Sequence, residues 1–253
     1  MEVHHHPDLH HKKKNFKEYF LEFIMIFLAV TMGFIAENLR ETIKDNKEIN
    51  ENIRSVVEDL NSDVAHFNAI INTDTYSYTS ADSLLSLLHN NISNTSQIYF
   101  YARAVTANVG SFYANSKTFD QMKGSGMLKL IRPRSLLDSL GLYYTTFQFL
   151  SQQDYLVKLT LDLVHKDNYL LFDNYIFSQM KVVFDSINKS HTAVGLPPGH
   201  PVLLSTDYKA VNQVALNYYY LAAGERFDCI LADRQKTLAL RLIKQIKKEY
   251  HLK

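Results

Sequence analysis

The sequence predicts an all-α protein: an N-terminal transmembrane helix continues into a long stalk helix and an antiparallel helical bundle. Three observations carry this reading. Glycine (8) and proline (5) are scarce in 253 residues, so turns are few and elements long. The run from Tyr19 to Leu39 is mostly apolar and carries only two charges, Glu22 and Glu37. Beyond it, apolar residues recur at alternating spacings of four and three, the signature of a helix packed on helices.

Residues 1–18 form a His/Lys-rich tail, expected in the cytoplasm. His4, His5, His6, His10 and His11 surround Pro7 and Asp8. Clustered imidazoles bind zinc, nickel or copper, which makes these five the candidate metal ligands. The competing reading is a solvated tail, because nothing around the histidines forms a second shell to select a metal.

Residues 19–39 are the expected transmembrane signal-anchor. Phe23 to Ala36 carries no charge but is shorter than the roughly 20 residues a span needs. Extension to Tyr19 and Leu39 supplies the length and leaves Glu22 and Glu37 near the two headgroup levels. Phe34, two residues before Ala36, spoils a small-x-small cleavage site, so the anchor is expected to stay attached. Lys12, Lys13, Lys14 and Lys17 precede the run, and Arg40, Lys44 and Lys47 follow it. The positive-inside rule then puts the tail inside and the body in the periplasm. Glu22, Ala29, Gly33 and Glu37 share a helix face with Ile26 and Arg40. The small pair Ala29 and Gly33 lets two backbones approach, which suits self-association in the membrane. The plainer alternative is a lone helix whose Glu22 reaches the headgroups.

Residues 40–188 are expected to form the stalk and bundle. The stalk seam is Leu39, Ile43, Asn46, Asn50, Ile53, Val57, Leu60, Val64, Phe67 and Ile71. It pairs either with a second copy or within one chain, and a buried Asn can fix its register. The polar stretch 73–80 is expected to interrupt the helix before a second one over Asp82–His89. A third is expected over Gln97–Asn108, and Ser116 suits the cap of a helix that stops at Gly124-Ser125-Gly126. Pro133 suits the first turn of the longest helix, expected to run with breaks to about Ile187. Residues 189–206 hold three of the five prolines and read as a loop. Residues 207–253 read as a C-terminal hairpin of the same bundle, with Gly224 capping its first helix.

The chemistry the sequence offers is thin. A net charge near +1 argues against nucleic acid as a partner. The single Cys229 sits among apolar residues and reads as a small buried hydrophobe. Gly124-Ser125-Gly126 lacks the spacing of a phosphate loop. Neither HExxH, GxSxG nor CxxC occurs, and acidic residues are expected on outward faces. Arg241, Lys244, Lys247, Lys248 and Lys253 crowd the last turns, where cations complement the helix dipole or meet anionic lipid. No catalytic residue and no cofactor is expected.

Residues 4–41 (HHHPDLHHKKKNFKEYFLEFIMIFLAVTMGFIAENLRE) and 118–131 (TFDQMKGSGMLKLI), with the Tyr143-Tyr144 pair, resemble a family of single-pass inner-membrane proteins of Bacteroidetes-type bacteria, a domain with no assigned activity. The resemblance implies a bacterial inner-membrane setting and transfers no catalytic residue. The expected function is a non-enzymatic scaffold or accessory subunit, partnered by the lipid bilayer and by copies of itself or another inner-membrane protein. Two alternatives stand beside it. One is a sensory module holding a small ligand or peptide among aromatic helices, which would need a partner for output. The other is a metal-handling accessory that uses the histidine tail.

Overall fold

A computed structural model describes residues 15–184 and 192–252, apart from the side chains of Gln148 and Phe184. The histidines of the tail and Lys12 to Lys14 lie outside the described residues. The chain divides into two compact units, Met1–Asn50 and Glu51–Lys253. It is all-α with one small ribbon.

Helix α1 runs from Phe16 to Asn90, 75 residues. Its first part is long and apolar enough to cross a membrane: the best 18-residue window has a mean hydropathy of 2.1 and is 0% buried. Phe23, Ile26, Phe27, Leu28, Phe34 and Ile35 all lie exposed. Glu22, Ala29, Gly33 and Glu37 are exposed too, and a Cβ built on Gly33 meets nothing within 4 Å. Leu39 and Ile43 are also exposed. The Asn50 side-chain amide donates to the Asn46 carbonyl of its own helix at 2.7 Å.

In the second unit α1 is joined by α2 (Thr95–Thr106), α3 (Lys117–Gly124), α4 (Arg134–Asp167), α5 (Asn174–Gln179) and α6 (Tyr208–Glu249). Strands β1 (Val182–Phe184) and β2 (Thr192–Val194) pair antiparallel, with Val183 opposite Ala193. Three long helices make the bundle. α6 runs antiparallel to α1, as Ile71 meets Cys229 and Asp82 meets Arg226. It is also antiparallel to α4: Gln213 near its start bonds Asp167 at the end of α4.

The buried row of α1 includes Ile53, Leu60, Asp63, Phe67, Ile70, Asp74, Ser77, Ala81, Leu84 and Leu88. Ile53, Val57 and Leu60 of the expected seam are therefore packed within the chain. Val64 and Ile71 are half-buried beside the row, displaced by Asp63 and Ile70.

Five sequence expectations are corrected. The stretch 73–80 does not break α1. Its hydroxyls turn back onto the preceding turn, Thr79 to the Thr75 carbonyl and Ser80 to that of Tyr76, both at 2.7 Å. Gly224 caps nothing, because α6 runs through it. A Cβ there would stand 2.9 Å from Val157 Cγ2, so the glycine admits α4 at close range. α4 ends at Asp167, well short of Ile187, and is followed by a 3-10 turn, α5 and β1. The expected loop 189–206 contains β2. Ser116 precedes α3, but its hydroxyl donates to Asp120 at 2.6 Å instead of capping.

Candidate functional site

The second unit buries carboxylates at the level where α1, α4 and α6 meet. Asp63, Asp74, Asp154, Glu225 and Asp228 are all at most 8% exposed. The expectation that acids face outward fails for these five. The reason lies in the helical repeat. Asp63 and Asp74 continue the apolar row of α1, Asp154 stands between Leu150 and Val157, and Glu225 and Asp228 between Leu221 and Ala232. The signal is in the sequence, at apolar spacing, but residue type hides it.

Three carboxylates of α1 hold the segment between α2 and α3 and the first turn of α3. Asp74 accepts from the Gly110 amide at 2.8 Å, Asp63 from the Asn115 amide at 2.9 Å, and Asp59 from the Thr118 amide at 3.2 Å. That segment has no ladder of its own, so its amides need acceptors. Tyr143 of α4 adds its hydroxyl to Asp63 at 2.8 Å. Burial raises the pKa of both partners, further helped at Tyr143 by the Asp63 charge.

Deeper in the bundle lie Asp74, Asp154, Glu225 and Asp228. Asp154 is paired with Lys158 at 2.6 Å and accepts from Ser111. Ser77 Oγ lies 2.7 Å from Glu225 Oε1 and 3.4 Å from the Val105 carbonyl. Glu225 Oε2 and Asp228 Oδ1 are buried without a hydrogen-bond partner. Burial pushes Asp74 up to about 7, and the Asp154 charge adds to it against the Gly110 amide. Burial, with Asp74 and Asp154, pushes Asp228 up to about 7. Burial likewise holds Glu225 well above the usual carboxylate range, opposed by Ser77. The Ser77 hydroxyl donates to Glu225 Oε1, and the Val105 carbonyl is its second, longer acceptor.

The arrangement is one of buried or clipped acids. Among the described residues no group of three or more His, Cys, Asp or Glu is placed to hold a metal ion. Cys229 is half-buried beside the Ile71 carbonyl, and burial pushes its thiol up to about 11, as suits an inert thiol. No family model, curated protein or solved structure matches the chain.

A second feature lies on the outside. Leu142, Phe149, Leu156 and Leu163 stand seven residues apart along α4. Leu216, Tyr220, Phe227 and Ile230 mark α6 at helical spacing. These eight side chains are 42% to 65% exposed. Leu156 and Phe227 line one groove between the two helices, so the two rows border a common face.

Proposed function

We propose that this chain is a membrane-anchored, non-enzymatic helical scaffold that self-associates through the outer face of α4 and α6. The observation that carries this is the seven-residue repeat of Leu142, Phe149, Leu156 and Leu163 on the solvent side of a helix whose inner side is already packed. Such a repeat fits another helix and not a small ligand. The partner is a second copy. Eight large side chains, each exposing about half of roughly 200 Å², supply on the order of the 800 Å² per partner of a standard interface. A shared membrane anchor raises the local concentration of copies and aligns them, which lowers the entropy lost on pairing. The non-enzymatic reading is supported by Asp63 and Asp74, whose carboxylates are engaged with backbone amides. The lysine-rich flank before the anchor supports an orientation with the body on the far side of the membrane from the tail, which is the periplasm in the bacterial inner-membrane setting that the resemblance implies.

The test is disulfide crosslinking of the full chain in membranes, after Cys229→Ala. Leu156→Cys is expected to give a dimer under mild oxidation, and Asn61→Cys on the exposed side of α1 is not. Phe227→Glu added to Leu156→Cys is expected to abolish the dimer while helicity and membrane association persist. A monomer at Leu156→Cys, or a dimer indifferent to Phe227→Glu, overturns the proposal.

A further inference from the structure

One end of the second unit carries an excess of cations. From Lys123 to Arg134 there are Lys123, Lys129, Arg132 and Arg134 and no acid. From Arg241 to Leu252 there are Arg241, Lys244, Lys247 and Lys248 against Glu249. The fold brings the two stretches together. The Tyr250 hydroxyl accepts from the Arg132 amide at 3.2 Å, and Lys247 and His251 share a groove with Arg54 of α1. Glu58 also lines that groove and Asp138 lies 3.7 Å from Arg134, so the neutralisation is partial. The opposite end of the unit carries Asp162, Asp167, Asp173 and Asp207 with Lys166 and Lys209, and no comparable excess of cations.

Helix electrostatics explains only half of this. Lys244, Lys247 and Lys248 sit at the C-terminus of α6, where the macrodipole favours them. Arg132 and Arg134 sit at the N-terminus of α4, where it opposes them. Arg132 donates to the Lys129 and Ile131 carbonyls at 2.7 and 3.0 Å, so it also has a local role, but the macrodipole does not account for cations at both kinds of helix end. The chain also enters the unit here: Glu51 follows Leu39 by twelve residues, which reach at most about 40 Å even when fully extended. Leu128, Leu130 and Leu252 at this end are half-buried, so it presents charge and no inserting wedge.

We infer that this basic end is an electrostatic docking surface for anionic phospholipid headgroups. It rests on the membrane anchoring proposed above and is independent of self-association. The surface potential of an anionic leaflet acts within about one Debye length, near 10 Å at moderate salt, so docking is salt-sensitive.

The test uses the full chain with Cys229→Ala, reconstituted in bilayers of phosphatidylcholine alone or mixed with phosphatidylglycerol. A fluorophore is placed at Ser125→Cys on the basic end or at Asn91→Cys on the other, with a quencher on the lipid headgroups. Flotation of the reconstituted chain is measured first. The Ser125 probe is expected to be quenched with phosphatidylglycerol, released by high salt, and indifferent to pure phosphatidylcholine. The Asn91 probe is expected to stay bright throughout. Replacement of Lys244, Lys247 and Lys248 by Gln is expected to lower the docked-to-free ratio roughly a hundredfold. A chain that floats but shows equal Ser125 quenching in both lipids, or none that the three substitutions alter, overturns the docking surface alone. A chain that does not float overturns the anchoring and the docking together.

Discussion

Gly110 and Asp74 require one another. The glycine amide donates to the carboxylate at 2.8 Å, and a Cβ at position 110 would lie 2.6 Å from the same oxygen. Gly110→Ala is expected to force the buried carboxylate off its donor and to cost about 2 kcal/mol, read as a drop in the unfolding midpoint. Asp74 and Asp228 also set a pH dependence. Both are pushed up to about 7, chiefly by burial, so the folded chain keeps protons that the unfolded chain has already shed. Their contribution is fully present near the unfolded carboxylate value of about 4 and is lost as pH rises through about 7. Thermal unfolding followed by circular dichroism is expected to show stability falling across that interval, with a shallower slope in Asp228→Asn. A stability that rises over the same interval, or an unchanged slope in the variant, refutes the assignment. These acids were legible by position and not by type. Asp63, Asp74, Glu225 and Asp228 occupy apolar rows, but a lone carboxylate at such a place is ordinarily read as a register error.

At the level of elements, the long helices and the apolar anchor follow from composition and repeat, whereas their junctions do not. Thr79 and Ser80 are poor helix formers by propensity, but their hydroxyls bond the turn before them and α1 continues. Gly224 has the chemistry of a cap, and its use is set by Val157 on another helix, which no local pattern reports. Here the structure makes a sharp statement. Gly224→Leu is expected to wedge α4 from α6 and to destabilise by about 1–3 kcal/mol, as overpacked interiors do. Val157→Ala in the same chain is expected to recover much of that loss, because it vacates the atom the new side chain strikes. Denaturation midpoints of the two single variants and the double variant decide it, and strictly additive losses would count against a shared contact.

For the whole molecule, anchoring and topology are open to direct measurement. The full chain is expected to resist carbonate extraction from membranes, as its exposed helix is long and apolar enough to cross a bilayer. Alkaline phosphatase fused after Lys253 is expected to be active and a cytosol-only fluorescent reporter dark. The reverse pattern places the body inside and overturns the orientation drawn from the lysines. The long apolar helix was plain from hydropathy, but the apolar outer face of α4 and α6 was not, since that needs knowledge of which helix faces the core leaves uncovered. One mechanical consequence lies in the buried row of α1. Asp63, Asp74 and Ser77 act as teeth, each meshed with its own counterpart: Tyr143 and the Asn115 amide, the Gly110 amide, and Glu225. A slide of α1 by one turn, about 5.4 Å, would strip all three from their partners. At about 1–3 kcal/mol for each orphaned group, the loss rivals the 5–15 kcal/mol that holds a typical domain together. Within the body, then, α1 is an axle locked against piston travel, and a stimulus arriving along it must turn it or unseat it.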